Sequence, residues 1–303
     1  MGCTVARKRC ISSDKISIID TSPMQFKSKI IDNNQTSHLS DYASLSFLGV
    51  GAFGEVLSVR HIPTGTYRAQ KIIKKSNFRY EDVISGVILK ESLILSRLNH
   101  PNVIKFYEVL EDSYNYYIIT ELCEGGSLRE RVNKFNQIPE TMVIEIMKQI
   151  LDALCYIHNK NLVHCDIKLE NILLTSSSSN VIKIADFGCS QFIEPETNLN
   201  RLCGSLHYLA PEVIKNNYRE KADIWSCGIL ALIMLTGALP YSGNNKEAIK
   251  EKIKSITTNE LLEKMSQVSF EAQDFVRQML ETDPDKRITA ENARKHPWLN
   301  TGV

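Results

Sequence analysis

The sequence lacks most of the features that would place it in a specialised class. Its 36 Lys+Arg and 35 Asp+Glu leave a formal net charge of +1 over 303 residues, so no excess of positive charge argues for a nucleic-acid partner. Apolar runs fall well short of the roughly 20 residues that cross a bilayer. The longest, Gly228 to Leu235 with its neighbours, predicts a buried helix. The eight cysteines (Cys3, Cys10, Cys123, Cys155, Cys165, Cys189, Cys203 and Cys227) show neither a CxxC pair nor metal-ligand spacing, and no secretory leader is expected. Free thiols in a reducing cytoplasm are the expectation. No internal repeat occurs, and no D-x-D-x-D-G loop, so a direct calcium site is not expected.

What is present is an ordinary globular composition, 43% hydrophobic and 23% charged, enough for one or two sizeable cores. Residues 1–41 are polar and without sustained periodicity, which predicts a flexible tail. From Tyr42 the chain alternates strand-like runs with Gly-rich and Pro-Thr-Gly turns. "YEDVISGVILKESLILSRLN" has helical spacing at Val83, Val87, Leu95 and Leu98, weakened by Gly86. Two more strand-like runs follow, and after "EGGSL" the pattern becomes mainly helical, beginning with a long amphipathic segment behind Pro139. "TSSSSN" reads as a polar hairpin loop between two strands. A strand-rich first part and a helix-rich second part predict two lobes with a short hinge near Glu121 to Gly126.

Chemistry gathers at a few positions. "GVGAFGEV" supplies Gly49, Gly51 and Gly54 after a strand. A second strand pattern follows Gly54, and not a helix, which argues against a dinucleotide fold. Such a hairpin closes over phosphate oxygens, or is an ordinary tight turn. Lys71 lies in an apolar strand and needs an anionic partner, for which Glu91 is the candidate; a snorkelling edge lysine is the alternative. In "HCDIKLEN", Asp166 has the chemistry to orient a hydroxyl nucleophile and Lys168 to neutralise a moving phosphoryl group. Asn171 offers Mg²⁺ a neutral oxygen, and Asp186 of "DFG" supplies the carboxylate.

With these motifs in order, together with "APE" at 210–212, "DIWSCG" at 223–228 and "DPDKR" at 283–287, the chain closely resembles the eukaryotic protein kinases over 42–299. "LNHPNVIKFYEVLED", "ELCEGGSL", "DIKLEN" and "KHPWL" are similar to the calcium/calmodulin-dependent and calcium-dependent Ser/Thr kinases. The resemblance implies an α+β, two-lobed kinase fold: a small β-rich lobe 42–120, a hinge 121–126, a larger helical lobe 127–299, and a C-terminal end 300–303. It implies that ATP contacts Gly49, Val50, Gly51, Ala52, Phe53, Gly54, Val56, Ala69, Lys71, Glu91, Thr120, Glu121, Cys123 and Leu173. By the same likeness Asn171 and Asp186 hold Mg²⁺, while Asp166 and Lys168 are catalytic. It further implies a stack of Leu95, Phe106, His164 and Phe187, a Glu212–Arg287 pair, and a Ser205 hydroxyl bridging Asp166 and Lys168.

Departures from the family pattern carry their own expectations. Cys165 stands where relatives switched by loop phosphorylation carry Arg, so activation without a phosphate between Asp186 and Glu212 is expected, with Ser190, Thr197 and Ser205 as the candidate sites. Ser127 replaces a Glu that reads basic substrates, while Glu170 is retained, implying a weakened basic preference. "MGCTVARKRC" offers Gly2 and Cys3 for acylation beside Arg7, Lys8 and Arg9, implying peripheral membrane association at the cytoplasmic face. The expected activity is ATP- and Mg²⁺-dependent phosphorylation of protein Ser/Thr hydroxyls. A pseudokinase scaffold is the alternative.

Overall fold

The computed structural model describes residues 38–51, 54–85, 87–135 and 137–300. Gly2, Cys3, Ala52 and Phe53, and with them the tail and acylation expectations, lie outside the described residues.

The first lobe is a five-stranded antiparallel sheet of β1 (Tyr42–Gly51), β2 (Gly54–His61), β3 (Tyr67–Lys74), β4 (Phe106–Glu111) and β5 (Asn115–Glu121), in the order β1-β2-β3-β5-β4. The period of two sorts neighbouring side chains onto opposite faces. Tyr116 and Ile118 of β5 join Ile73, Val109, Leu89 and Leu93 in one apolar cluster. Tyr117 and Ile119 join Tyr42, Val59 and Leu110 in another. Gly54 is required by close approach, because a Cβ there would stand 1.7 Å from the Ile72 carbonyl oxygen of β3.

The helical pattern over 80–99 resolves into three pieces: α-helix Tyr80–Ser85, a 3₁₀ turn Val87–Leu89, and α-helix Lys90–Ser96. β-branched residues such as Val83 and Ile88 lose rotamer freedom in a helix, and the sequence also holds Gly86, a poor helix former. Packing decides the rest, since the last piece buries Glu91, Leu93, Ile94 and Leu95 towards the sheet and the second lobe.

The second lobe is built on two long helices. Glu140–His158, entered from Pro139, buries Val143, Met147, Ile150, Leu154 and Ile157 along one stripe. Lys221–Thr236 is buried at every position from Ala222 to Leu235, as its apolar run predicts. Two short two-stranded sheets complete this lobe. β6 (Leu162–Val163) pairs β9 (Gln191–Phe192), and β7 (Ile172–Leu174) pairs β8 (Ile182–Ile184) across the "TSSSSN" loop. The main core runs through this lobe and continues into the first through Ile94, Leu95, Val103 and Ile104. His164 and Phe187 meet edge to face at 4.7 Å, with Leu95 and Phe106 in the same cluster. The fold is thus two-lobed, one sheet-based and one helical. Among the described residues no helix is long and apolar enough to cross a membrane.

Arg287 is wholly buried. Its guanidinium grips both carboxylate oxygens of Glu212, one at 2.9 Å, and donates to the carbonyls of Glu281 at 2.8 Å and Lys221 at 2.9 Å. It also lies 5.1 Å from the Trp225 ring. Such bidentate geometry offsets the desolvation of both charges.

Candidate active site

Between the lobes lies a cleft of about 1220 Å³. Its apolar wall comes from Val50, Val56, Ala69, Ile104, Ile118 and Leu173, and its floor from Lys71, Glu91, Lys168, Asn171 and Asp186. Gly49, Thr120, Glu121 and Cys123 also line it. Gly51 and Gly54 pair with each other at the facing ends of β1 and β2, and Gly54 stands outside the lining.

Lys71 projects from β3 and donates to Glu91 at 2.6 Å, with Asp186 Oδ1 3.9 Å away. The anionic partner that an apolar strand demanded is therefore Glu91, 20 residues on. Burial works to depress the Lys71 ammonium, but the carboxylates of Glu91 and Asp186 outweigh it and raise its pKa. Asp186 sits at φ 61°, a left-handed turn that carries the chain into the following Phe187–Cys189 turn.

Asp166, 8% exposed, is held by three residues that line the cleft. Lys168 Nζ donates to it at 2.6 Å, the Ser205 backbone N–H at 2.8 Å, and Asn171 Nδ2 at 3.1 Å. Burial would raise the Asp166 carboxyl, yet the Lys168 ammonium and the Ser205 N–H hold it below its ordinary value. The Ser205 hydroxyl accepts from Lys168 at 2.9 Å. The bridge expected of that hydroxyl is thus shared, with Lys168 on the hydroxyl and Asp166 on the backbone N–H.

Asp223, the first residue of "DIWSCG", was given no role in the sequence and orders this loop. It is 1% exposed, and its carboxylate accepts the backbone N–H groups of His164 and Cys165, each at 2.9 Å, while His158 lies 2.9 Å away. Its signal was the "DIWSCG" motif that it opens. Arg129 was also missed. It joins Glu170 at 2.9 Å and the Tyr208 hydroxyl at 2.9 Å on the outer lip of the cleft.

The expectation that every thiol is free requires correction. Cys189 and Cys203 form a disulfide within the segment from Asp186 to Glu212, the activation segment of the kinases that this chain resembles, their Cα atoms 6.2 Å apart. No local motif announces it, because the fold and not the spacing brings residues 14 apart together. Gly204 follows at φ +103°, where a Cβ would stand 2.4 Å from the Cys165 carbonyl oxygen. Cys123, Cys155, Cys165 and Cys227 are unbonded. Burial, then the Asp223 carboxylate, pushes the Cys165 thiol far up, and burial pushes Cys123 up to about 12. Of the candidate phosphorylation sites, Ser190 is wholly buried and donates to the His164 carbonyl at 3.1 Å, whereas Thr197 is exposed. Iodoacetamide mapping of the folded protein at about pH 8, below the usual thiol value, checks these assignments. Cys165 and Cys123 should stay unmodified, while Cys189 and Cys203 react only after reduction; rapid alkylation of Cys165, or of Cys189 without reductant, contradicts them.

Comparison with known proteins agrees with the geometry. The protein kinase domain family matches residues 42–299. Calcium-dependent protein kinase 4 of Plasmodium falciparum is 34% identical over 271 residues, covering 89% of this chain and 51% of that protein. Calcium-dependent protein kinase 5 of the same organism is 36% identical over 253 residues, covering 83% and 44%. The Serine/threonine-protein kinase PEPKR2 of Arabidopsis thaliana is 35% identical over 286 residues, covering 94% and 57%. The chain spans about half the length of these relatives. It belongs to the protein kinase family, as a Ser/Thr protein-kinase catalytic domain related to the calcium-dependent kinases of Plasmodium and plants.

Proposed function

We propose that this protein moves the γ-phosphoryl group of ATP, with Mg²⁺, onto Ser or Thr hydroxyls of protein substrates. The observation that carries the reading is one cleft on which Lys71–Glu91 and the Asp166–Lys168–Asn171–Ser205 cluster converge. Donor chemistry suits a magnesium nucleotide. Asp186 and Asn171 offer hard oxygens, and Mg²⁺ takes one or two protein ligands beside substrate phosphates and water. Among the described residues no group of three or more His, Cys, Asp or Glu is placed to hold an ion by itself. When bound, the magnesium nucleotide supplies the transferable phosphoryl group and part of the neutralisation of its charge.

The roles of the chain's own residues follow from position. Lys71, oriented by Glu91, holds phosphate oxygens, and the apolar wall with Thr120 to Cys123 receives the base. Asp166, kept ionised by Lys168, orients the acceptor hydroxyl and takes up its proton, while Lys168 balances charge on the moving group. The domain divides into a small lobe 42–120, a hinge 121–126 and a large lobe 127–299. Activity does not require a phosphate on the activation segment: Cys165 brings no cation beside Asp166, and the segment is already tied by Cys189–Cys203 and by Ser205 on Asp166. Control through a calcium site within the domain is not part of this reading, since no such loop occurs in the sequence. Gly2 and Cys3 acylation, with Arg7 to Arg9 facing anionic headgroups, holds the protein at the cytoplasmic face of a membrane.

Incubation with radiolabelled ATP, Mg²⁺ and a generic basic protein tests the activity, beside an Asp186→Ala control and a phosphatase-treated sample. Labelled phosphoserine or phosphothreonine, lost in the control and retained after phosphatase, is expected. A purely associating scaffold would transfer nothing, and loss after phosphatase would overturn loop-phosphate independence.

A further inference from the structure

The cleft continues past Lys168 to an outer lip formed by Ser127, Arg129, Glu130, Glu170, His207 and Tyr208. An acceptor hydroxyl that reaches Asp166 must lay its flanking residues along this lip, because Ser205 and Lys168 close the inner side. Glu170 lies in the same short loop as Asp166, four positions on, and its side chain is 44% exposed. On charge alone it is a docking point for a substrate cation.

That carboxylate is already engaged. Arg129 Nε donates to Glu170 Oε1 at 2.9 Å, and the second arm of the same guanidinium donates to the Tyr208 hydroxyl at 2.9 Å. Leu128 and Val132, both buried in the Leu128–Phe135 helix, fix the helix that carries Arg129. A planar guanidinium with two partners gives up less freedom per bond than a flexible ammonium would. Glu130 on the same lip is engaged as well, accepting from the Ser127 hydroxyl at 3.0 Å.

We infer that Arg129 is a specificity-determining residue, an internal stand-in for a substrate arginine that occupies Glu170 and removes selection for a basic residue beside the phosphorylated Ser or Thr. The inference rests on the kinase reading above and names its substrate class: proteins whose acceptor needs no flanking cation. A peptide arginine meets a carboxylate whose charge Arg129 already balances, and must share or displace that partner. The net gain is close to nil.

The test is the ratio of kcat/KM for otherwise identical peptides with Arg or Ala at each position around the acceptor, a ratio that general loss of stability does not move. Wild type is expected to give ratios near one. Arg129→Ala, with Arg129→Gln as the variant that keeps a long polar stem, should raise the ratio at one position by roughly fivefold, the yield of one partly exposed charge pair. Adding Glu170→Gln to either variant should return it to one. Ratios unchanged in both Arg129 variants, or a gain that survives Glu170→Gln, overturn the inference while leaving the kinase reading intact. A wild-type protein inert towards every peptide overturns that reading and the inference together.

Discussion

Asp166→Asn lowers kcat for peptide phosphorylation by about three orders of magnitude, the usual yield of a positioned general base, and leaves affinity for the magnesium nucleotide nearly unchanged. Asparagine keeps the size of the side chain and can still meet Lys168 and Ser205, so the loop stays formed. It cannot take a proton. In the native protein Lys168 at 2.6 Å and the Ser205 N–H at 2.8 Å hold the carboxyl below its ordinary 3.8 despite burial. A depressed folded-state pKa means that this group's contribution to stability is complete above the unfolded value and is lost only as pH falls through the folded one. Asp166 is therefore ionised throughout the range of about pH 6 to 8, and any change of rate there arises from another group. Steady-state kinetics with nucleotide and peptide varied separately check this. A mutant that retains wild-type kcat removes Asp166 from the chemistry.

Arg287→Ala destabilises the fold by about 3 to 5 kcal/mol, the cost of leaving a buried partner charge alone, and lowers the melting temperature on the order of 10 °C. The guanidinium has no solvent to fall back on, and its removal strands Glu212 and opens space beside Trp225. Replacing both partners by Met and Leu should recover part of the loss, because no uncompensated charge remains. Glu212 also ends the activation segment, so a partly recovered double variant should still phosphorylate peptide poorly. Thermal melting of the single and double variants decides the matter. A single variant as stable as wild type shows that the pair contributes nothing net.

Much of the site was legible because phosphoryl transfer needs particular functional groups at fixed offsets. Asp166, Lys168 and Asn171 sit within six residues, and the loop that carries them cannot change length without separating them. Lys71 and Glu91 were legible for a different reason, since an ammonium in an apolar strand must find a counter-ion. The fold was readable where one period dominates, as in the sheet and in the buried Lys221–Thr236 helix. The helix over 80–99 was less so, because its apolar spacing favours one helix while its β-branched residues and Gly86 disfavour one, and the chain forms three pieces. Residues that act across the fold left little local trace. The Cys189–Cys203 link depends on the path of a 14-residue loop. Arg129 looks like any exposed helix cation until the turn that carries Glu170 is set beside it. Asp223 was the exception, since it opens the "DIWSCG" motif.

The central claim is that side chains from β3, the Lys90–Ser96 helix, the Asp166 loop and the turn at Asp186 form one binding site for one magnesium nucleotide. Melting temperature measured with a non-hydrolysable ATP analogue, with and without Mg²⁺, in wild type, Lys71→Met and Asp186→Ala tests it most directly. At a hundredfold excess over Kd the wild type should gain about 2.7 kcal/mol, Asp186→Ala should lose the increment that depends on Mg²⁺, and Lys71→Met should lose most of the response to nucleotide. Equal stabilisation of all three proteins, or of none, would contradict the account.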